Sequence, residues 1–378
     1  MPTELHSLEN LPEEAQSFWD EAIQRQDKIS AFASGRSWFT LMSGENPDAR
    51  VVVTHSDDAG TCRVLIPLMD RTWTLALSLL GKVLSRQELK VLKAGGGDLV
   101  ENSADPGGLA DAIRETLQRK PEAAALWFEH VADESRFEKL VSCARDAGCF
   151  RHILFRRLPH YRFILPATWD ECRALRSSKS LGRIRSKENA LARELDAPLE
   201  LVELRRYDEW LTHRDRVESI VEQSWQAQLL GQGFKVEHVR GSAEAGHLRG
   251  FLLVAKGQPV AFTLYYAGEE TMISGVLAYD RRYGKHSPGT VLFLRTLEYL
   301  YANDPPKYLD FGEGDAEYKR QWQNDEIAVN SILLVRNSFR LRALFLAFKC
   351  CNWIDRTTRS LLLSCGLDRV LVRRLKRD

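Results

Sequence analysis

The residues best suited to chemistry lie in a short turn rich in glycine and charge, directly after the apolar run 307–311. Glu313 and Asp315 carry carboxylates that can take a proton from an attacking group, directly or through water, when burial raises their pKa. Tyr318 follows with a phenol that is protonated at neutral pH and can donate a proton to a leaving group. The alternative is structural, with Asp315 capping a helix and Tyr318 packing as a buried aromatic residue. The turn therefore predicts an acid–base site at the end of a strand.

A second loop, residues 279–290 (YDRRYGKHSPGT), is suited to binding an anion. It lies between an apolar strand and an amphipathic helix, so that backbone N–H groups at the helix start can face a ligand. The alternative is an ordinary strand–helix loop with a Ser/Thr cap. His286 is also a candidate base, although its position favours phosphate contact. The candidate anion-binding residues are Arg281, Arg282, Tyr283, Gly284, Lys285, His286, Ser287, Gly289 and Thr290.

A basic stretch at 173–193 has seven Lys/Arg against one acidic residue. Such a stretch can bind a phosphorylated or nucleotide-linked acceptor. The candidate residues for this binding are Arg183 and Lys187 of the stretch, together with Lys319 from the glycine-rich turn. A solvated helix face is the more common use of such a charge run. Binding of nucleic acid is less favoured, because no aromatic residues or recognised motif accompany the cations. The histidines His160, His238 and His247 have no companion residues in the sequence.

The elements that position these residues alternate between helix and strand, which favours an α/β (α+β) fold. Strands are predicted at 50–56 and 62–69 as a hairpin, and at 150–157 and 161–165 as two strands. A long helical stretch is predicted over 168–195. A chain of 378 residues is long enough for two domains. We therefore predict domains at 1–165 and 166–336, followed by a basic helical tail at 337–378.

Charge is distributed unevenly along the chain. Residues 336–378 carry eleven Lys/Arg and three Asp, a net charge of +8, which leaves −7 for the remainder and +1 overall. Apolar stripes with basic flanks can bind an anionic membrane surface or dock on a protein surface, and docking is favoured here. Membrane-surface contact is the alternative, at the inner face of the membrane.

Several features of the sequence indicate a cytoplasmic location. The first sixteen residues are acidic and lack the apolar region of a signal peptide, and no run of about 18 apolar residues predicts a membrane span. The seven cysteines have no paired spacing, which indicates reduced thiols. No metal is expected, because zinc-ligand spacing is missing from the sequence.

Three segments together resemble one family: Gly257–Phe262, the Ser287-Pro288-Gly289 loop, and the pattern DFGxGDxxYKxxW at 310–322. This combination looks like the CelD-like branch of the GNAT acyltransferase superfamily, which is similar to FemAB-type peptidyltransferases. The resemblance covers roughly residues 60–335 and is strong for 251–322. The stretch around Pro159–Trp169 and the pair Ser224-Trp225 also fit this group.

The resemblance implies two tandem GNAT-like domains, each with a mixed central sheet flanked by helices, and acetyl-CoA or another acyl-CoA bound by the second. Residues 282–290 would then surround the CoA pyrophosphate, strand 271–278 would bind the pantetheine arm, and the region near Trp225 and the basic stretch would hold the acceptor. The implied activity is N- or O-acyl transfer to a saccharide or cell-envelope precursor in a bacterial polysaccharide pathway. The alternatives are aminoacyl transfer from aminoacyl-tRNA and a non-catalytic factor in polysaccharide biosynthesis.

Overall fold

The computed structural model describes residues 2–26, 32–43, 49–80, 82–95, 100–101, 106–224, 236–314 and 316–364. The strands are β1 Thr3–His6, β2 Arg50–Ser56, β3 Cys62–Leu79, β4 Lys82–Ala94, β5 Val100–Glu101, β6 Ala125–Val131, β7 Cys149–Ile164, β8 Glu200–Leu204, β9 Leu248–Ala255, β10 Gln258–Ala267, β11 Thr271–Tyr279, β12 Tyr308–Glu313 and β13 Asp325–Arg336. The helices are α1 Glu13–Gln24, α2 Arg36–Ser43, α3 Pro106–Arg119, α4 Glu134–Asp146, α5 Trp169–Ala174, α6 Ser178–Leu195, α7 Tyr207–Glu222, α8 Val236–Glu244, α9 Pro288–Ala302, α10 Glu317–Trp322 and α11 Phe339–Ser364.

These elements form two compact units, each assembled from separate segments of the chain. Unit 1 contains residues 1–19, 47–156 and 330–378, and unit 2 contains residues 20–46 and 157–329. The predicted domains, with limits at 165/166 and 336/337, are continuous segments and stay a prediction. In the part of the chain that the structure describes, no helix is both long and apolar enough to span a membrane.

Unit 1 is built on a mixed sheet with the strand order β1-β2-β3-β4-β6-β13. Its core lies between this sheet and helices α3 and α4, where Ile66 and Phe128 of the sheet pack with Ile113 and Phe137 of the helices. All four side chains are fully buried. This burial is the main source of stability for an amphipathic helix on a sheet.

Unit 2 is built on a sheet with the order β7-β12-β11-β10-β9-β8 and carries helices on both faces. Alternate residues of each strand point to opposite faces, so Phe251 and Leu253 belong to one core and Leu252 and Val254 to the other. The first core includes α6 and α9, and the second includes α7. The near-continuous apolar runs of β9 and β10 are explained by this two-sided burial.

Strands β11 and β12 are parallel but stay paired for only a short distance, from Thr271 to Ile273 on β11. The pairing ends just before Gly275, which is the extra residue of a β-bulge against β10. A methyl group at Gly275 would lie 2.9 Å from Cε2 of Tyr266, so the bend depends on a residue without a side chain. Since bulges bend a strand, β11 separates from β12 here and continues to Tyr279 paired with β10 only.

Several predicted elements differ from those observed. The stretch 168–195 is two helices, because Thr168 and Ser177 each cap a helix start through a side-chain hydrogen bond. The two strands predicted at 150–157 and 161–165 are the single strand β7. The hairpin strand predicted at 62–69 continues to Leu79 as β3, since its residues from Leu68 to Leu79 pair with β4, a strand that was not predicted.

Candidate functional site

A cavity of about 170 Å³ lies in unit 2 where β11 has separated from β12. It brings together two sequence segments that were predicted separately, the anion-binding loop and the turn that carries Tyr318. The lining residues are Leu277, Tyr279, Gly284, Ser287, Gly289, Thr290, Phe293, Tyr318 and Trp322. The sheet opening, the start of α9 and helix α10 therefore enclose one site.

The loop before α9 is held by a buried carboxylate. Residues Arg281–His286 form a 3-10 helix, and Asp280 caps it by accepting from the backbone N–H of Arg282 at 3.0 Å. The side chain of Asp280 is only 1% exposed and accepts from the guanidinium groups of Arg282 at 2.6 Å and of Arg216. Hydrogen bonding from Arg282 lowers the pKa of Asp280 to about 2. Arg282 therefore fixes the shape of the loop, while Arg281 is exposed at its start.

The start of α9 has the features of an anion site. Ser287 is the N-cap residue with a left-handed φ of 50°, and Pro288 occupies the first helical turn. Gly289 is buried, and a methyl group there would lie 3.4 Å from Cδ1 of Tyr279, so the backbone of α9 closely approaches β11. Pro288 has no N–H, and the N–H of Thr290 donates to the backbone oxygen of Ser287 at 3.0 Å, so the backbone group that this end offers to an anion beside the cavity is the N–H of Gly289, at the positive end of the helix dipole.

Helix α6 packs against the same loop. The ammonium of Lys187 donates to Oγ of Ser287 at 2.6 Å. Near the end of α6, Glu194 pairs with Lys285 at 2.8 Å and with His286 at 2.6 Å. These hydrogen bonds lower the pKa of Glu194. Lys187 was predicted to bind acceptor in a separate region, but its ammonium lies at the loop predicted to bind donor.

Tyr318 is largely buried against an aromatic cluster and reaches the cavity. Its ring lies 6.1 Å from that of Phe311, and Trp322 is packed edge-on against Phe293 at 5.2 Å. Burial raises the pKa of Tyr318 to about 12. The phenol therefore stays protonated at neutral pH and acts as a hydrogen-bond donor there.

Lys319 stabilises the turn between β12 and α10. Its buried ammonium donates to the backbone oxygens of Glu313 at 2.6 Å and of Gly312 at 3.3 Å, and burial lowers its pKa. The candidate base Glu313 is half-buried at the end of β12. Asp315 lies outside the described residues. The contacts of Lys319 give it a structural role beside its predicted role in substrate binding.

A His–Asp pair joins β7 to β12. Nε2 of His160 lies 2.7 Å from Oδ1 of Asp310, and the same oxygen accepts from the backbone N–H of Gly312 at 2.7 Å. The sequence shows no companion residue for His160 that suggests a role, and the structure adds Asp310 as a partner from a distant part of the chain. His247 contacts the backbone oxygen of Ala267 at 2.8 Å. The side chain of His238 lies outside what the structure describes.

Four cavity residues were not predicted as site residues: Leu277, Tyr279, Phe293 and Trp322. Alternation along β11 places Leu277 and Tyr279 on one face, which the strand pattern would have indicated. Of the remaining predicted residues, Tyr283 lies half-buried with the guanidinium of Arg282 over its ring at 5.5 Å, and Arg183 is exposed on α6. Trp225 lies outside the described residues. Within the described residues, no group of three or more His, Cys, Asp or Glu side chains is arranged to hold a metal.

Comparison with known proteins identifies the domain that contains this site. Residues 173–320 match the family model described as acetyltransferase (GNAT) domain. No curated protein matches the chain. The chain is similar to a solved tandem GNAT protein from the clavulanic acid biosynthesis pathway, with a TM-score of 0.53 and 14% identity, over 89% of this chain and 99% of that one.

Two further solved structures are similar to the chain. FemX has a TM-score of 0.53 and 9% identity, over 89% of this chain and 98% of its own. L-PGS from Bacillus licheniformis has a TM-score of 0.47 and 12% identity, over 89% and 96%. The predicted α/β fold and the GNAT resemblance are confirmed, and the CelD-like branch stays a prediction. The chain shares the fold of tandem GNAT proteins, and its residues 173–320 match the GNAT acetyltransferase family model.

Proposed function

We propose that this protein transfers an acyl group from acyl-CoA to an amine or hydroxyl of an acceptor. One observation carries the proposal. The anion-binding start of α9, through Ser287 and Gly289, and the phenol of Tyr318 line the same cavity in the opening between two strands. A thioester donor with a distant pyrophosphate needs this combination of an anion site and a hydrogen-bond donor for its reacting end.

The cavity fits one part of such a donor. Sites that enclose a whole drug-sized ligand measure roughly 300–1,000 Å³, whereas this one measures about 170 Å³. We infer that it holds the acyl end and part of the arm, beside the part of β11 beyond Ile273, where the strand pairs with β10 but no longer with β12. The pyrophosphate then lies outside it, at the loop that contains Lys285, Ser287 and Thr290 and beside the ammonium of Lys187.

In the proposed reaction the acceptor nitrogen or oxygen attacks the thioester carbonyl carbon, and the carbon–sulfur bond breaks. The acceptor loses a proton to a base, and the sulfur leaves as a thiolate. A simple thiol has a pKa of about 8.5, so full proton transfer from Tyr318, with a pKa of about 12, would cost about 5 kcal/mol. Tyr318 therefore acts by donating a hydrogen bond to the charge that develops, and the proton for the thiolate comes from solvent or from the acceptor.

The base is proposed to be Glu313 or Asp315, acting directly or through water. Glu313 is supported by its half-buried position at the end of β12, two residues after the buried Phe311. The acceptor is proposed, by resemblance to the CelD-like group alone, to be a saccharide or a cell-envelope precursor. The setting would be cytoplasmic.

Aminoacyl transfer from aminoacyl-tRNA is the second candidate. It is favoured by the basic helix α6, where Arg183 is exposed and Lys187 reaches the loop before α9. It predicts tRNA binding whose affinity falls steeply with salt, which a filter-binding titration would measure. Binding that is weak and independent of salt would remove this candidate. A non-catalytic role predicts instead that Tyr318→Phe leaves the function in cells unaffected.

Calorimetry of the full chain with acetyl-CoA, longer acyl-CoAs and CoA tests the leading proposal. Gly289→Trp should abolish binding, because a large side chain there enters the cavity between α9 and β11. The matched control is Gly182→Trp on α6, where a side chain would meet no atom within 4 Å. Full affinity in Gly289→Trp would refute the site, provided that both variants unfold at the same temperature as the wild type.

A further inference from the structure

Helix α11 belongs to unit 1 and packs on the sheet of that unit through one side. Leu341 and Phe345 are buried against the sheet, where the ring of Phe345 is stacked on Trp73 at 6.0 Å and edge-on to Phe150 at 5.6 Å. The side chain of Asp355, further along the same side, accepts from the backbone N–H of Leu80 at 2.6 Å. These contacts fix which side of the helix faces away from the sheet.

The opposite side of α11 carries an exposed apolar stripe. Phe339 is 90% exposed, Leu346 63%, Trp353 68% and Leu361 60%. Their spacing of seven or eight residues places them on one side of a helix, and with a rise of 1.5 Å per residue the stripe is about 33 Å long. Scattered single apolar residues on a surface need no explanation, but four large ones in a row indicate a contact surface.

A row of cations runs along the edge of this stripe. Arg342, Lys349 and Arg356 are exposed and are spaced by seven residues, so they lie on one side of the helix next to the apolar residues. The helix as a whole has five Lys/Arg against one Asp, and residues 365–378 add five more Lys/Arg against two Asp in the sequence. The helix that bears the stripe therefore has a net charge of +4.

The tip of the β3–β4 hairpin also carries exposed apolar residues. Leu80, Val83 and Leu84 are 44%, 50% and 62% exposed, and the bond between Leu80 and Asp355 holds the tip against α11. The hairpin tip and the stripe belong to the same unit.

We propose that this surface binds an anionic lipid membrane, with the stripe of Phe339, Leu346, Trp353 and Leu361 inserted among the headgroups. Charge complementarity favours lipid as the partner. A row of cations beside a long apolar stripe suits a membrane whose headgroups are negatively charged and whose acyl chains lie directly beneath them. Tryptophan suits this boundary because its ring is apolar and its N–H is polar. The basis of this proposal is independent of the acyltransferase site.

Flotation of the full chain with vesicles tests the proposal. Vesicles of phosphatidylcholine with about 30% phosphatidylglycerol should bind the protein, those of phosphatidylcholine alone should bind it weakly, and salt should weaken the anionic binding. Leu346→Ser/Trp353→Ser should lower the partition coefficient about tenfold. The control is Leu175→Ser/Leu211→Ser, which removes two comparably exposed leucines elsewhere, in unit 2.

A second pair of variants separates specific from general charge effects. Changing Arg342, Lys349 and Arg356 to Gln should lower binding to anionic vesicles about tenfold, whereas changing the exposed Arg145, Arg173 and Arg193 to Gln should lower it far less. Circular dichroism confirms folding of each variant. The proposal is overturned if the wild type shows no preference for anionic vesicles, or if the serine variant binds as well as the wild type. Self-association of the wild type without vesicle binding would assign the stripe to a second copy of the chain.

Discussion

The ammonium of Lys187 donates a 2.6 Å hydrogen bond to Oγ of Ser287, the N-cap residue of α9. The bond joins the basic helix α6 to the loop that begins the anion site. Ser287 makes no side-chain capping bond of its own, so its hydroxyl is oriented by the lysine. A fixed cation thus stands beside the helix end that is proposed to bind the pyrophosphate.

Lys187→Met should raise the dissociation constant for CoA about tenfold, because one charge-assisted contact, about 1.5 kcal/mol, is lost from the anion site. Calorimetry in the absence of acceptor measures the change. Arg183→Met, one turn earlier and exposed, removes the same charge from α6 and should alter the constant less than about twofold. Equal losses in both variants would mean that only the overall charge of α6 matters.

Tyr318→Phe should lower kcat about a hundredfold and leave the affinity for CoA unchanged, because the phenol is proposed to stabilise charge only as the thioester reacts. Tyr301→Phe is the matched control, since its hydroxyl donates to the backbone oxygen of Pro166. A Tyr318→Phe enzyme with normal kcat would exclude the proposed role.

The pH dependence of activity follows from the same residue. Burial raises the pKa of Tyr318 to about 12, so the active, protonated form persists well above neutral pH and is lost only as pH approaches that value. Any decline of kcat between pH 8 and about 10 should therefore persist in Tyr318→Phe. A decline in that range that is present in the wild type and missing in the variant would contradict the assignment.

Asp280→Asn should lower the free energy of unfolding by about 2 kcal/mol, because the carboxylate accepts charged hydrogen bonds from Arg282 and Arg216 and caps the loop. Since its pKa is lowered to about 2, the stabilisation is complete above the unfolded pKa near 4 and is lost as pH falls toward 2. Urea denaturation at several pH values measures both effects. Asp208→Asn, at an exposed ion pair, should leave the midpoint unchanged.

Gly275→Ala should destabilise the protein by about 1–3 kcal/mol, because the added methyl group overlaps the ring of Tyr266 at the bulge of β11. Gly182→Ala should instead stabilise it by about 0.5–1 kcal/mol, since that glycine lies within α6 in open space. Thermal unfolding compares the two. A Gly275→Ala protein as stable as the wild type would show that the bulge tolerates a side chain.

Sequence patterns predicted much of the fold of unit 2 because its strands are apolar, short and separated by clear turns. Strands β11 and β12 follow the predicted ranges 271–278 and 307–311 within a few residues. In unit 1, β3 was predicted too short because its outer half, from Asp70 to Leu79, is mostly half-exposed and mixes polar with apolar residues. Its partner β4 is equally mixed, so cross-strand pairing rather than local pattern determines both.

The candidate site was predicted in its parts but not in its connections. Loop 281–290 and Tyr318 could be selected because glycine, charge and a phenol stand out at strand ends. Two contacts could not be predicted, that of Lys187 with Ser287 and that of His160 with Asp310, because each joins residues at least 100 positions apart. Such pairs depend on packing between elements, which one sequence does not encode locally.

A crystal structure of the full chain with CoA tests the central claim most directly. The pyrophosphate should lie within hydrogen-bond distance of the backbone N–H of Gly289 and the ammonium of Lys187, with the arm along β11 and the thiol in the cavity beside Tyr318. Density for CoA elsewhere on the molecule, with the opening between β11 and β12 filled only by solvent, would contradict it.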